Sequence, residues 1–153
     1  MYTILMNKDK SLVTTEIATL YQNENLVDKI QFLFPKMYED LNLSECTIIL
    51  KCVLPGNVAY EEELKTDEEL YKGKVRCMLP VDSNLSSFAG DIGLRVYFVG
   101  TEINENKRNL YTGETQINIL PITQYNHIPI IGNTADKIPI EVIDEALGVT
   151  HDE

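Results

Sequence analysis

The chain has 153 residues, a net charge of −11 at pH 7 and a sequence pI near 4.6. Its length is that of one domain, which can bury a hydrophobic core without disulfide bonds. The acidic charge argues against nucleic-acid binding, which relies on Lys and Arg to neutralise phosphates. No apolar run approaches the roughly 20 residues that span a bilayer, and no signal-peptide pattern opens the chain. We therefore expect protein partners, no membrane insertion and synthesis in a cytosol.

The first third of the chain predicts a series of short strands. Residues 2–6 and 14–20 are β-rich runs, and residues 29–35 alternate apolar and polar side chains until Pro35 ends the pairing. Residues 46–54 are apolar on both faces, which is typical of a strand that is central or covered by another element.

A hairpin is predicted where residues 55–57 read Pro-Gly-Asn, because these residue types favour a tight turn. The return strand at 58–64 begins a segment in which residues 61–69 carry six carboxylates. They lack the ligand spacing and the turn glycine of a calcium loop. A solvated hairpin edge, charged against aggregation, is the favoured interpretation, and a cation site is the alternative.

The second half gives the clearest alternation of the chain. Residues 69–80 predict a strand, residues 82–88 a single capped helical turn, and residues 88–100 a strand buried on one face. Residues 101–109 predict a loop or hairpin tip, and residues 110–120 a closing strand.

Many short strands with almost no amphipathic helix predict an all-β fold. We expect an antiparallel β-sandwich, Ig-like or jelly-roll-like, with about seven to nine strands. Its predicted core consists of the inward-facing residues of the alternating runs. These are Ile30, Phe32, Phe34, Ile48, Leu50, Cys52, Val75, Cys77, Leu79, Ile92, Leu94, Val96, Phe98, Ile117 and Ile119.

The regular alternation of apolar and polar residues ends at Pro121. We predict a β-sandwich domain over residues 1–121 and an irregular C-terminal extension over residues 122–153 that ends in a short helix, from Pro139 to Gly148. The extension has more apolar surface than a free tail should show to water, so it is expected to dock on a neighbouring copy of the chain or on another protein, with docking over one of its own sheets as the alternative. Its predicted interaction residues are Ile128, Ile130 and Ile131 together with the helical stripe Ile140, Ile143 and Leu147.

The three cysteines are predicted to be buried thiols. Cys46 and Cys52 lie in one predicted strand, about 20 Å apart at the rise of a strand, so they cannot bridge each other. Only Cys77 could pair with either. The favoured interpretation is three small buried hydrophobes, with a disulfide as the alternative.

No combination of residues predicts catalysis. The two histidines, His127 and His151, lie far from the cysteines, which argues against a zinc site. There is no nucleophile elbow, phosphate-binding glycine loop or zinc-protease motif. We therefore expect no enzymatic activity, no cofactor and no metal.

Six segments resemble, in the same order, a family of tailed-phage structural proteins from phages of Gram-positive bacteria. They are LYQNENLVDKIQF (20–32), LNLS (41–44), LPGNVA (54–59), ELYK (69–72), LPVD (79–82) and YTGET (111–115). The resemblance covers roughly residues 1 to 121. Relatives begin with a β-sandwich similar to that of upper-baseplate proteins and continue into longer segments than this chain has.

The resemblance implies a non-enzymatic structural protein of a virion, assembled in the host cytoplasm. Its sandwich would dock on neighbouring subunits in the baseplate or tail, with other virion proteins and further copies of the chain as partners. One alternative is a capsid-surface or head-fibre attachment protein. A second is a small carbohydrate- or peptide-binding β module, disfavoured because the chain has no Trp to serve as a platform for sugars.

Overall fold

The computed structural model describes residues 1–103 and 106–122, apart from the side chains of 101–103. This part of the chain contains twelve β-strands, one 3-10 turn (Leu43–Glu45) and no α-helix, so the predicted all-β fold is confirmed. The predicted extension and its helix lie outside the described residues. The strands are β1 (Tyr2–Met6), β2 (Leu12–Glu16), β3 (Leu20–Tyr21), β4 (Lys29–Pro35), β5 (Met37–Tyr38), β6 (Leu41–Asn42), β7 (Thr47–Leu54), β8 (Val58–Leu64), β9 (Lys74–Pro80), β10 (Gly90–Ile103), β11 (Asn106–Tyr111) and β12 (Thr115–Leu120).

The strands form two main sheets. The first has the order β2-β1-β4-β9, and the second has the order β3-β12-β10-β7-β8 with β11 also paired to β10. Strands β5 and β6 make a separate two-stranded ribbon. Most pairs are antiparallel, as predicted, but β1 pairs with β4 and β12 pairs with β3 in parallel. Residue alternation is the same for both directions, so the sequence pattern could not separate them.

The two sheets pack face to face through aromatic and aliphatic side chains. Phe34 of the first sheet meets Phe98 of the second edge to face, with ring centroids 5.0 Å apart. Phe32 stacks beside Phe34 at 6.1 Å, and all three rings are fully buried. Edge-to-face contacts of this kind stabilise a core beyond the burial of area alone. The sandwich prediction is thereby confirmed.

All fifteen predicted core residues are buried, which confirms the register inferred from alternation. Twelve further apolar residues join them. They come mainly from short strands and connections, where alternation is too brief to detect: Tyr2, Ile4, Met6, Leu12, Leu20, Leu41, Leu43, Leu54, Leu64, Val81, Leu85 and Leu110.

Three predicted boundaries were wrong. Residues 14–20 are not one strand, because the chain leaves the first sheet after β2 and joins the second at β3. The predicted strand 69–80 begins only at Lys74, because Tyr71 and Lys74 close a tight turn before it. The hairpin alternative for residues 101–109 is confirmed, since β10 runs to Ile103 and pairs with β11 from Asn106. The predicted closing strand 110–120 is divided between β11 and β12.

The break between β11 and β12 is stabilised by Thr112. Its hydroxyl oxygen accepts a hydrogen bond from Val96 N–H at 2.9 Å, and its own N–H donates to the Val96 carbonyl at 2.9 Å. The hydroxyl donates in turn to the Gly113 carbonyl. A buried side chain thus replaces a backbone partner where the chain leaves β11 and has yet to begin β12, both of which pair with β10.

Candidate docking surface

One end of the sandwich holds four of its connections, which join β2 to β3, β3 to β4, β7 to β8 and β9 to β10. The register places the starts of β4 and β10 at the same end as the finishes of β9 and β12. We call the segments at this end the end loops: residues 17–28, 55–57 and 81–89. The 55–57 turn adjoins the start of β10, since a Cβ on Gly90 would lie 3.2 Å from Pro55 Cγ. Gly90 has φ +128°, so this close approach suits glycine.

Exposed apolar side chains concentrate at this end. Of the thirteen large hydrophobic residues with exposed side chains in the described part of the chain, nine lie on the end loops or next to them. They are Met1, Ile17, Tyr21, Leu26, Val27, Val53, Val58, Phe88 and Leu120. Single exposed apolar residues are ordinary, but a concentration at one place is typical of an interaction surface.

The 22–28 loop is held against the 81–87 segment by hydrogen bonds. Leu26 N–H donates to the Val81 carbonyl at 2.7 Å, and Val81 N–H donates to the Asp28 carbonyl at 2.8 Å. Four more bonds join the two segments. They are Asn23 N–H to Ser86 O, Ser86 Oγ to Glu24 O, Ser83 N–H to Asn25 Oδ1 and Gln22 Nε2 to Ser87 O. The loop is therefore fixed by the fold and not only by its own turn.

The tip of this loop presents two apolar side chains to solvent. Leu26 is 62% exposed and Val27 is 78% exposed. Leu26 also has φ +62°, a left-handed conformation that bulky residues rarely adopt. Asn25 and Asp28 flank the pair, and a solvated turn would normally carry polar residues throughout. The pair is thus unusual for a turn in its exposure and, at Leu26, in its backbone conformation.

Acidic residues lie on the loop that carries this apolar tip and on the segments beside it. Glu24 and Asp28 lie in the same loop, Asp82 in the facing segment and Asp91 at the start of β10, while the exposed Lys29 directly follows Asp28. Within the described residues, none of these four carboxylates forms an ion pair with a Lys or Arg. The surface therefore combines apolar side chains with an excess of negative over positive charge.

The predicted interaction residues Ile128, Ile130, Ile131, Ile140, Ile143 and Leu147 all lie outside the described residues, so their roles stay predictions. The sequence predicted turns at 55–57 and 82–88, but it did not predict the concentration of exposed apolar side chains on the end loops. A signal was present: Leu26 and Val27 interrupt an otherwise polar turn sequence. Residues 82–88 form the predicted single capped turn, since Leu85 N–H donates to the Asp82 carboxylate at 2.9 Å and Ser86 N–H donates to the Asp82 carbonyl at 3.1 Å.

The thiols do not resemble nucleophiles. Burial raises the pKa of Cys52 and of Cys77 to about 12, and it also raises the pKa of the half-buried Cys46. All three are free thiols. Because the thiolate is the reactive form, these environments suit packing and not catalysis.

The described segments hold no group of His, Cys, Asp and Glu able to bind a metal ion. No helix in this part of the chain is long and apolar enough to cross a bilayer.

The six carboxylates of residues 61–69 begin in β8, the last strand of the second sheet. There Lys51 pairs with Glu61 at 3.6 Å, and Tyr60 donates a hydrogen bond to Glu62. Charged side chains on a terminal strand discourage edge-to-edge association.

The outer face of the second sheet carries a pair of tyrosines. Tyr97 and Tyr111 stack with ring centroids 4.5 Å apart, and the Lys51 ammonium lies 4.9 Å from the first centroid and 5.5 Å from the second. The two rings cover part of each other's faces, and the ammonium group covers more. Less aromatic surface is therefore open to a sugar. The pair therefore gives little support to a carbohydrate platform.

The sequence matches no family model, and no curated protein matches it. Among solved structures, the chain is similar to the N-terminal domain of phage TP901-1 ORF48. The two share 10% sequence identity and superpose with a TM-score of 0.45, over 78% of this chain and 94% of that one.

Proposed function

We propose that this chain is a non-enzymatic structural protein of a tailed-phage virion, whose sandwich docks on neighbouring subunits of the baseplate or tail. The phage assignment is supported by the ordered sequence motifs between residues 20 and 115. A position on the capsid surface, as a head-fibre attachment protein, is the alternative location for the same role.

The observation that carries the docking role is the concentration of exposed apolar side chains on the end loops. Leu26, Val27 and Phe88 are exposed at a place where hydrogen bonds already fix the backbone. A rigid apolar surface loses little conformational entropy when a partner covers it. Such a surface suits a stable protein contact better than transient binding of a small molecule.

The proposal is tested by finding the chain in purified particles of the phage that encodes it. Mass spectrometry of particles banded on a density gradient should detect the chain at a constant ratio to the major tail protein. Its mass in solution should also increase when purified baseplate or tail proteins are added. A chain that is made in infected cells but is absent from banded particles would overturn the virion assignment.

A further inference from the structure

We infer that the Leu26–Val27 tip is a docking knob for a partner protein that is apolar where it receives these side chains and rich in Lys or Arg around them. This inference rests on the proposed structural role and names the contacting residues and the chemistry of the partner. It concerns the sandwich itself and is independent of residues 122–153.

The backbone that carries the knob is held in place by hydrogen bonds within the chain itself. Leu26 and Val27 are exposed, yet the backbone on both sides is fixed, through Leu26 N–H to Val81 O and Val81 N–H to Asp28 O. Apolar anchors that are already in their bound conformation contribute most to affinity. The left-handed conformation of Leu26 persists although Asn or Gly would adopt it more easily. A leucine side chain at this position is therefore not required by the turn itself.

The negative charge near the knob favours a partner with positive charge. Glu24, Asp28, Asp82 and Asp91 carry no ion-pair partner within the described residues. A partner with Lys or Arg at the rim of its apolar hollow would complement them, and complementary rims set specificity and association rate. Contact between the same ends of two copies would instead bring these carboxylates together in a protein of net charge −11. The partner is therefore a different, basic surface.

Cross-linking in the assembled particle tests the inference. A photoreactive phenylalanine analogue at Val27 should cross-link to one other virion protein, within a segment that contains Lys or Arg. The same analogue at Thr47, which is exposed on the outer face of β7, is the matched control and should not reach that segment. A cross-link at Val27 that lands on a second copy of the chain, or no cross-link from a chain that is present in the particle, overturns the inference.

Paired substitutions separate loss of the knob from loss of folding. Leu26→Asn with Val27→Ser should reduce incorporation about tenfold while preserving the fold, because Asn tolerates the left-handed conformation. Val13→Ser with Leu70→Asn makes the same exchanges at exposed sites away from the end loops and should leave incorporation unchanged. Circular dichroism and thermal melting check that each variant folds.

Neutralising two carboxylates beside the knob tests whether charge contributes to docking. Glu24→Gln with Asp28→Asn should lower incorporation several-fold and make it less sensitive to salt. An unchanged salt dependence would overturn the basic-partner assignment. If the wild-type chain is absent from particles, the proposed function fails as a whole. If it is present and these variants behave as wild type, only the docking knob fails.

Discussion

Phe98 shows how a single side chain joins the two sheets. It is fully buried and meets Phe34 of the opposite sheet edge to face. We expect Phe98→Ala to lower the free energy of unfolding by about 3 to 5 kcal/mol, through lost burial and the cavity left behind. Urea denaturation measures this. Phe88→Ala, at a side chain that is 47% exposed, is the control and should change stability by about 0.5 kcal/mol or less. A loss below about 1 kcal/mol for Phe98→Ala would contradict its place in the core.

The buried thiols predict a loss of stability at alkaline pH. Burial raises the pKa of Cys52 and Cys77 from an ordinary value of 9.0 to about 12. Between these values the unfolded chain has lost the thiol protons and the folded chain retains them. Their stabilising contribution is therefore complete below about pH 9 and is lost as the pH rises towards 12. Burial and the hydrogen bond to Glu62 also raise the pKa of Tyr60, which acts in the same direction.

We expect Cys52→Ala with Cys77→Ala to flatten this decline without abolishing it, because Tyr60 remains. Urea denaturation at pH 7, 9 and 10 measures the slope. Titration of denatured, unreduced wild-type protein should count three thiols, which checks that no disulfide contributes. A decline as steep in the double variant as in the wild type would show that the thiols are not its cause.

Among the elements, Thr112 holds the junction of three strands. Its hydroxyl bonds to Val96 N–H and to the Gly113 carbonyl inside the sheet, and the residue is buried. Thr112→Val keeps the shape but leaves the Val96 N–H without a partner. We expect a loss of about 1 to 3 kcal/mol in the free energy of unfolding. Thr47→Val, at an exposed position of β7, makes the same exchange and should have a much smaller effect. Equal effects would show that the hydroxyl of Thr112 is dispensable.

Long strands could be predicted from sequence because one buried face imposes strict alternation. The runs around Ile30, Cys77 and Val96 show this pattern over seven or more residues, and their inward sides are buried as expected. Alternation says nothing about which strands are neighbours. The parallel pairing of β1 with β4 and of β12 with β3 therefore lay beyond it.

Short elements and the docking surface were harder to predict because their causes are not local. Leu20 and Tyr21 form a strand only because the end of β12 lies beside them. The exposure of Leu26 and Val27 depends on hydrogen bonds to residues 81–87, more than fifty positions away in the chain. A local pattern shows that these two residues are unusual for a turn, but not that hydrogen bonds to a distant segment hold their loop in place.

At the scale of the whole molecule, the sandwich presents two different kinds of surface. The β8 edge carries Glu61, Glu62 and Glu63, which disfavours pairing with another strand. The end loops carry exposed apolar side chains on a fixed backbone, which favours covering by a partner. In the proposed structural role, a partner is therefore expected at the end loops and not at the β8 edge.

The extension over residues 122–153 gives the last prediction. Every buried core residue in the described part of the chain lies at or before Ile119. A chain cut after Pro121 should therefore fold into the same sandwich, with a cooperative unfolding transition. We expect this truncated chain to lose self-association or incorporation into the particle, because the predicted stripe Ile140, Ile143 and Leu147 would be missing. Sedimentation velocity measures self-association, and mass spectrometry of banded particles measures incorporation.

A triple variant of the full chain tests the stripe without truncation. Serine at Ile140, Ile143 and Leu147 should reproduce the defect of the truncated chain, because the loss of three apolar anchors removes the contact whatever the length of the tail. Glu141→Gln with Asp144→Asn and Glu145→Gln changes the other side of the predicted helix and serves as the control. If the truncated chain assembles fully, the extension is not the interface and the end loops carry the docking alone. If it cannot fold, the extension belongs to the core and the boundary at residue 121 is wrong.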